Sequence, residues 1–196
     1  MKIGLEYIKY RWKARKRHGI HSPYVYTLSD QGLAIPLNSK EQRTLNGIFQ
    51  MLKTDHSEIE IHDFGVGSKK LGKTRKISKI FRTSSSKGKY GKLLFQLCRH
   101  FEPHHILEFG TSLGVGTSYM KLGNPEALLT TVEACPNTRR VALRTFSLLG
   151  LEGIESVEMT FDNFLVGAQK TSFDLVYIDG HHDGKALLHY LEKLRP

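Results

Sequence analysis

His105-Ile-Leu-Glu-Phe-Gly-Thr-Ser-Leu-Gly-Val-Gly-Thr-Ser118 is the stretch that decides the fold. His105 to Phe109 is a short, mostly apolar run of strand type, and it ends in a loop carrying Gly110, Gly114 and Gly116. Thr117 to Leu122 then predicts a helix, with Gly123 as its stop. Glycines between a strand and a helix let the main chain approach a ligand closely, because no Cβ intervenes. The order here is G-x-x-x-G-x-G. The dinucleotide fingerprint is G-x-G-x-x-G, and Tyr119 stands where its third glycine would fall. That departure counts against a pyrophosphate-bearing cofactor and suits an adenosine with an uncharged bridge.

The same rhythm continues on both sides. Upstream, Tyr90 to Phe101 places Leu93, Leu94, Leu97, Cys98 and Phe101 at helical spacing. Downstream, Leu128 to Val132 predicts a second strand ending at Glu133, and Asn137 to Leu149 a helix between Pro136 and Gly150. Ser156 to Phe161 predicts a third strand ending at Asp162 and Asn163. Phe173 to Ile178 predicts a fourth, ending at Asp179-Gly-His-His182, before a helix over Gly184 to Leu194. Strands alternating with helices imply an α/β fold: a Rossmann-like partial parallel sheet of order 3-2-1-4, with helices on both faces. Polar residues end all four expected strands, and ligands bind at that edge in open α/β sheets.

Chemistry can be assigned along this edge. Glu133 lies 23 residues after Gly110, where a carboxylate can accept hydrogen bonds from both ribose hydroxyls. Asp162 and Asn163 can meet an adenine edge. Asp179 can orient an acceptor, and His181 or His182 can take its proton, since imidazole titrates near neutrality. Glu108 to Ser118 resembles motif I of the class I S-adenosylmethionine (SAM)-dependent methyltransferases, and Glu133 resembles their acidic ribose residue. The segment from Phe173 through Asp179-Gly-His-His182 is similar to the Asp-Gly-x-His segment of O-methyltransferase-like members, which implies His182 as the base. The resemblance covers roughly residues 90–196. It implies SAM as cofactor, Glu108 and Gly110 at its methionine part, and Thr111 and Ser112 lining the loop with Gly114 and Gly116. It further implies an enzyme that O-methylates a small molecule. Some related enzymes hold a divalent metal here, and Asp179, His182 and Asp183 could supply part of such a site. The chain stops at Pro196, before any fifth strand, so the expectation is a domain truncated after the fourth strand, without a metal.

Charge divides the chain. Residues 1–90 hold 19 Lys and Arg against 7 Asp and Glu, whereas residues 91–196 hold 10 against 12. Hence residues 1–89 are expected to form a basic, largely helical extension or lid, and residues 90–196 the SAM-binding domain. Leu5, Ile8 and Trp12 recur at helical spacing within a run carrying seven basic residues over 2–17. Pro23 interrupts that run and biases Ser22 to extended geometry. Asn38 or Ser39 caps a helix to about Lys53, with Leu45, Ile48, Phe49 and Leu52 on its buried face. Glu58 to Phe64 alternates like a strand and ends in the second glycine motif, Asp63-Phe-Gly-Val-Gly-Ser68, expected as a structural turn or lid segment. Residues 68–92 predict a mobile basic loop with a short helix at 73–81. Gly72-Lys73-Thr74 lacks the spacing of a phosphate-binding loop.

The basic arm keeps two alternatives in view: a nucleic-acid methyltransferase docking through it, or a SAM-binding module without turnover. Cys98 and Cys135 suit reduced thiols and a cytoplasmic protein. No apolar run is long enough to span a membrane, and no secretory leader is evident.

Overall fold

A computed structural model describes residues 2–13, 22–62, 74–167, 172–181 and 183–195. The Asp63–Ser68 motif and His182 lie outside the described residues. Contacts divide the chain into two units, Met1–Ile35 and Pro36–Pro196.

The first unit holds α1 (Lys2–Lys13), α2 (Pro23–Asp30) and a single 3₁₀ turn at Gly32–Ala34. The expected N-terminal helix is present, and Leu5, Tyr7, Ile8, Tyr10 and Trp12 are exposed on it. Ser22 is extended, as Pro23 requires, and its Oγ accepts from the Val25 N–H at 3.4 Å. It therefore works as an N-cap. Pro23 starts α2, because a proline at the first helical position sacrifices no intrahelical bond.

The second unit begins with α3 (Ser39–Thr54). Asn38 Oδ1 accepts from the N–H groups of Lys40 and Glu41, both at 2.9 Å, while Glu41 Oε2 accepts from the Asn38 N–H at 2.7 Å. This reciprocal box satisfies donors that the first turn leaves open. Leu45, Ile48 and Leu52 are buried on the inner face of α3. β1 (Glu58–Glu60) pairs antiparallel with β2 (Thr74–Lys76), and α4 (Ile77–Ser84) follows directly. The expected basic loop is thus largely ordered structure over residues 74–92, and its helix starts later than residue 73. Ile77, Ile80 and Phe81 form an apolar stripe that drives this burial, with Phe81 against Phe49 of α3 at 5.4 Å. The described residues of 36–89 share one contact unit with the sheet, and the boundary between the two units lies at Ile35.

The sheet contains β3 (His105–Phe109), β4 (Leu128–Val132), β5 (Ile154–Val157) and β6 (Leu175–Ile178), in the order β5-β4-β3-β6. Every pairing is parallel, which gives the expected order 3-2-1-4. Central β3 is buried on both faces, and its side chains alternate. Glu108 faces α6 (Val115–Gly123), whereas Phe109 stacks on Phe161 at 4.5 Å and meets Tyr190 edge-on at 5.7 Å. Phe161 belongs to α8 (Phe161–Gly167) and Tyr190 to α9 (Gly184–Leu194), so helices cover both faces.

Two further differences from expectation have packing causes. The third strand ends at Val157, and Phe161 to Gly167 is helical; Phe161, Phe164 and Leu165 recur at helical spacing against the Phe109 cluster. Asp162 and Asn163 therefore sit on α8 rather than at a strand end. In α5 (Lys89–Phe101) the buried stripe is Gly91, Leu94, Phe95 and Cys98, while Leu93 and Phe101 are exposed. Small Gly91 and Gly123 let α5 and α6 come together, which sets that rotation. α7 (Pro136–Leu149) completes the unit. Among the described residues no helix is long and apolar enough to cross a membrane.

A Cβ at Gly123 would lie 2.5 Å from the Phe95 carbonyl oxygen and 2.8 Å from Cys98 Cβ. Gly123→Ala is expected to destabilise the protein by about 1–3 kcal/mol in denaturant unfolding, because two helices must separate. Gly47, inside α3, has open space around it, and Gly47→Ala is expected to stabilise by roughly 0.5–1 kcal/mol in the same measurement.

Candidate functional site

The carboxyl ends of β3, β4 and β6 meet at one edge of the sheet. β3 ends in a turn held by the Gly110 N–H on the Val132 carbonyl at 3.0 Å and by the Gly114 N–H on the Thr111 carbonyl at 2.8 Å. Gly110 has φ +100°, and a Cβ there would lie 2.6 Å from the Asp179 carbonyl oxygen. Only glycine meets both demands. Ser112 adopts φ +50°, uncommon for a residue with a side chain. Its N–H is thereby presented to Glu133, whose Oε2 accepts it at 2.9 Å. Glu133 Oε1 accepts from the Cys135 N–H, also at 2.9 Å. Burial raises the Glu133 pKa above its ordinary value, opposed by these backbone hydrogen bonds.

Glu108 lies beneath the loop and is 1% exposed. Its Oε2 accepts from the hydroxyls of Thr117 and of Thr131, the latter at 2.6 Å, and Thr131 Oγ1 lies 2.5 Å from Thr111 Oγ1. Gly116 makes room for this carboxylate, since a Cβ there would approach Glu108 Oε1 to 2.9 Å. Gly114 similarly accommodates the Phe146 ring. Burial raises the Glu108 pKa to about 7, although the two threonine hydroxyls oppose the shift. Glu108, Thr111, Gly114 and Gly116 therefore build the loop from below.

Above the edge lies a cavity of about 710 Å³ whose lining includes Gly110, Ser112, Glu133, Asp162 and Asp179. Asn163 is exposed and outside the lining. Asp179 Oδ2 accepts from Ser86 Oγ at 2.6 Å, and Ser86 Oγ lies 3.1 Å from the Tyr177 hydroxyl. Burial, reinforced by the Asp179 charge, pushes the Tyr177 pKa up to about 12, so this hydroxyl keeps its proton. His181, with φ +49°, places Nδ1 2.5 Å from the Tyr190 hydroxyl and also faces the cavity. Among the described residues no three His, Cys, Asp or Glu side chains are grouped as metal ligands.

Several lining residues escaped the sequence reasoning: Arg75, Ser85, Ser86, Phe161 and Tyr177. Ser84-Ser85-Ser86 looked like loop composition, and nothing local shows that Ser86 meets Asp179 across 93 residues. His181 lay within the Asp-Gly-x-His segment at its variable position.

Comparison with known proteins agrees with this architecture. Residues 107–196 match the family model described as a methyltransferase domain. The fold is the Rossmann-like fold of solved methyltransferases. An O-methyltransferase from Bacillus cereus, solved in complex with S-adenosylhomocysteine (SAH), superposes with a TM-score of 0.56 at 18% identity, over 88% of this chain and 67% of that one. The O-methyltransferase TomG of Streptomyces achromogenes, involved in tomaymycin synthesis and solved with SAM, gives 0.54 at 18% identity, over 93% and 71%. A SAH-bound methyltransferase from Podospora anserina gives 0.53 at 17% identity, over 82% and 65%. The chain thus spans about two thirds of the length of these structures. No curated protein sequence matches it.

The buried Glu108 makes stability depend on pH. The native state keeps this proton up to about pH 7, whereas an unperturbed glutamate releases it near 4.5. Between those values the native state binds more protons, so its contribution to stability is present below pH 4.5 and is lost as pH rises to 7. Glu108→Gln keeps an acceptor for the threonines and removes the titration. Unfolding free energies from pH 4 to 8 are expected to fall relative to that variant by on the order of 1–3 kcal/mol in the wild type.

Proposed function

We propose that the chain binds SAM in this cavity and transfers its methyl group to a hydroxyl of a small molecule. The observation that carries the proposal is the Glu133 carboxylate, fixed on the Ser112 N–H at 2.9 Å beside an open cavity. Glu133 would accept from the ribose hydroxyls, and Asp162 on α8 would meet the adenine edge. Gly110 and Ser112 would lie along the methionine part, with Ser85 and Ser86 opposite. The fit is supported by the glycine turn at 110, which brings main chain to the cavity edge, and by the Ser85 Oγ, which is buried without a partner on the cavity wall. The fold shared with O-methyltransferases supports the reaction class.

When bound, SAM supplies a methyl group on an electrophilic sulfonium. The protein's part is then alignment and proton removal. Asp179, oriented by Ser86, would hold the acceptor hydroxyl. His181, bonded to the Tyr190 hydroxyl, or His182 of the same sequence segment would take its proton.

Calorimetric titration of the folded chain with SAH tests the proposal directly. Binding is expected, weakened about 10–100-fold by Glu133→Ala and at least about tenfold by Gly110→Ala, with circular dichroism confirming that each variant is folded. Absence of SAH binding to the folded wild-type chain would sink the reading.

A further inference from the structure

Among the described residues, three buried side-chain atoms lack a hydrogen-bond partner: Arg75 Nε, Ser85 Oγ and Arg99 Nε. The first two belong to residues that line the large cavity. Leaving a buried donor unpaired is costly, and native proteins keep few such groups. Two of them on the wall of one cavity mark places where a bound molecule supplies the missing acceptor.

These two groups serve different ends of the cavity. Arg75 immediately precedes Lys76, the N-cap of α4, and Ser85 is the C-cap of the same helix. The eight-residue helix between them is about 12 Å long. The Ser85 end adjoins Ser86, Asp179 and, through the Asp179 carbonyl, Gly110, which is the proposed methionine end. The Arg75 end belongs to the β1–β2 hairpin. There Glu60 offers its carbonyl to Asn137 Nδ2 at 2.9 Å, and the His62 N–H reaches Cys135 Sγ at 3.4 Å. The hairpin therefore rests on the start of α7, beside Glu133.

Within β2, Thr74 and Lys76 point outward while Arg75 is half-buried opposite Ile59. Glu60, the acidic residue ending β1, pairs with His62 at 3.5 Å. A guanidinium facing a cavity with its buried donor unpaired matches a carboxylate or phosphate, which its planar fork can hold through two parallel bonds.

We propose that Arg75 is an acceptor-binding residue, and that the methyl acceptor carries an anionic group, carboxylate or phosphate, which it holds. This rests on the reading that the cavity takes SAM. The other possible source of such a group is the cofactor's own carboxylate, and the roughly 12 Å span of α4 places Arg75 at the wrong end for it.

The test titrates the full chain with benzoate and inorganic phosphate, with benzamide as the uncharged control, each with and without saturating SAH. SAH is titrated separately. Benzoate and phosphate are expected to bind the wild type with SAH present, and benzamide is expected not to bind. Arg75→Gln is expected to weaken both anions at least about tenfold while SAH affinity stays within about twofold. Unchanged anion binding in Arg75→Gln, equal binding of benzoate and benzamide, or no anion binding by the wild type would overturn the proposal. Anion binding abolished by SAH would assign Arg75 to the cofactor instead, and overturns it too. Should Arg75→Gln fail to fold, Arg75→Lys keeps the charge and loses the fork; it must weaken benzoate about threefold or more, and an unchanged affinity overturns the assignment. A chain that takes no SAH refutes the cofactor reading, whereas the anion titrations without SAH still decide whether Arg75 holds an anion.

Discussion

The close approach of two strand ends governs this molecule. β3 and β6 run parallel, and at their carboxyl ends the Asp179 carbonyl occupies the space a side chain at position 110 would need. A glycine there lets the chain turn away from the sheet at φ +100°, and the turn carries the Ser112 N–H across to Glu133 on the neighbouring strand end. One steric constraint thus opens the edge of the sheet and aims a carboxylate into it. Gly110 thus lets main chain, together with Ser112, Glu133 and Asp179, line this edge of the cavity.

Beneath that floor, buried polar groups replace an apolar plug. Glu108 is held by the Thr117 and Thr131 hydroxyls, and Thr131 is in turn within bonding distance of Thr111. These residues come from the strand, the loop, the helix and the adjacent strand. Each donor is placed by an element that packs for independent apolar reasons. A buried carboxylate with hydroxyl partners tolerates its location, where an unpartnered one would not. The motif glycines are divided accordingly: Gly110 serves the cavity, while Gly114 and Gly116 serve the packing of Phe146 and Glu108.

How much of this was legible in the sequence follows from range. β3, β4 and α9 could be drawn because their apolar runs and boundary residues are local. Gly110 and Glu133 could be paired because strand order places successive strand ends together. The misplaced third strand shows the opposite case. Val157, Met159 and Phe161 alternate like a strand, yet Phe161, Phe164 and Leu165 also fit a helix, and stacking on Phe109 selects the helix. α2 was missed for a related reason: a proline that stops one helix also starts another. Ser86 and Arg75 carry no local signature, because what makes them part of the cavity is tertiary contact with strand ends far along the chain.

That last point changes the meaning of the basic first half. Its charge excess suggests a separate appendage, whereas the described residues of 36–89 share a contact unit with the sheet. α4 is the means: its apolar face packs on α3, and its two ends carry β2 and the serine run to the cavity wall. A sheet edge alone offers carboxylates and main chain, which suit an adenosyl group and a hydroxyl. The wall supplied by residues 74–90 adds hydroxyls and a guanidinium. The division is therefore chemical: the sheet edge carries the acidic side, and the β1–β2 hairpin brings the Arg75 guanidinium to the same cavity.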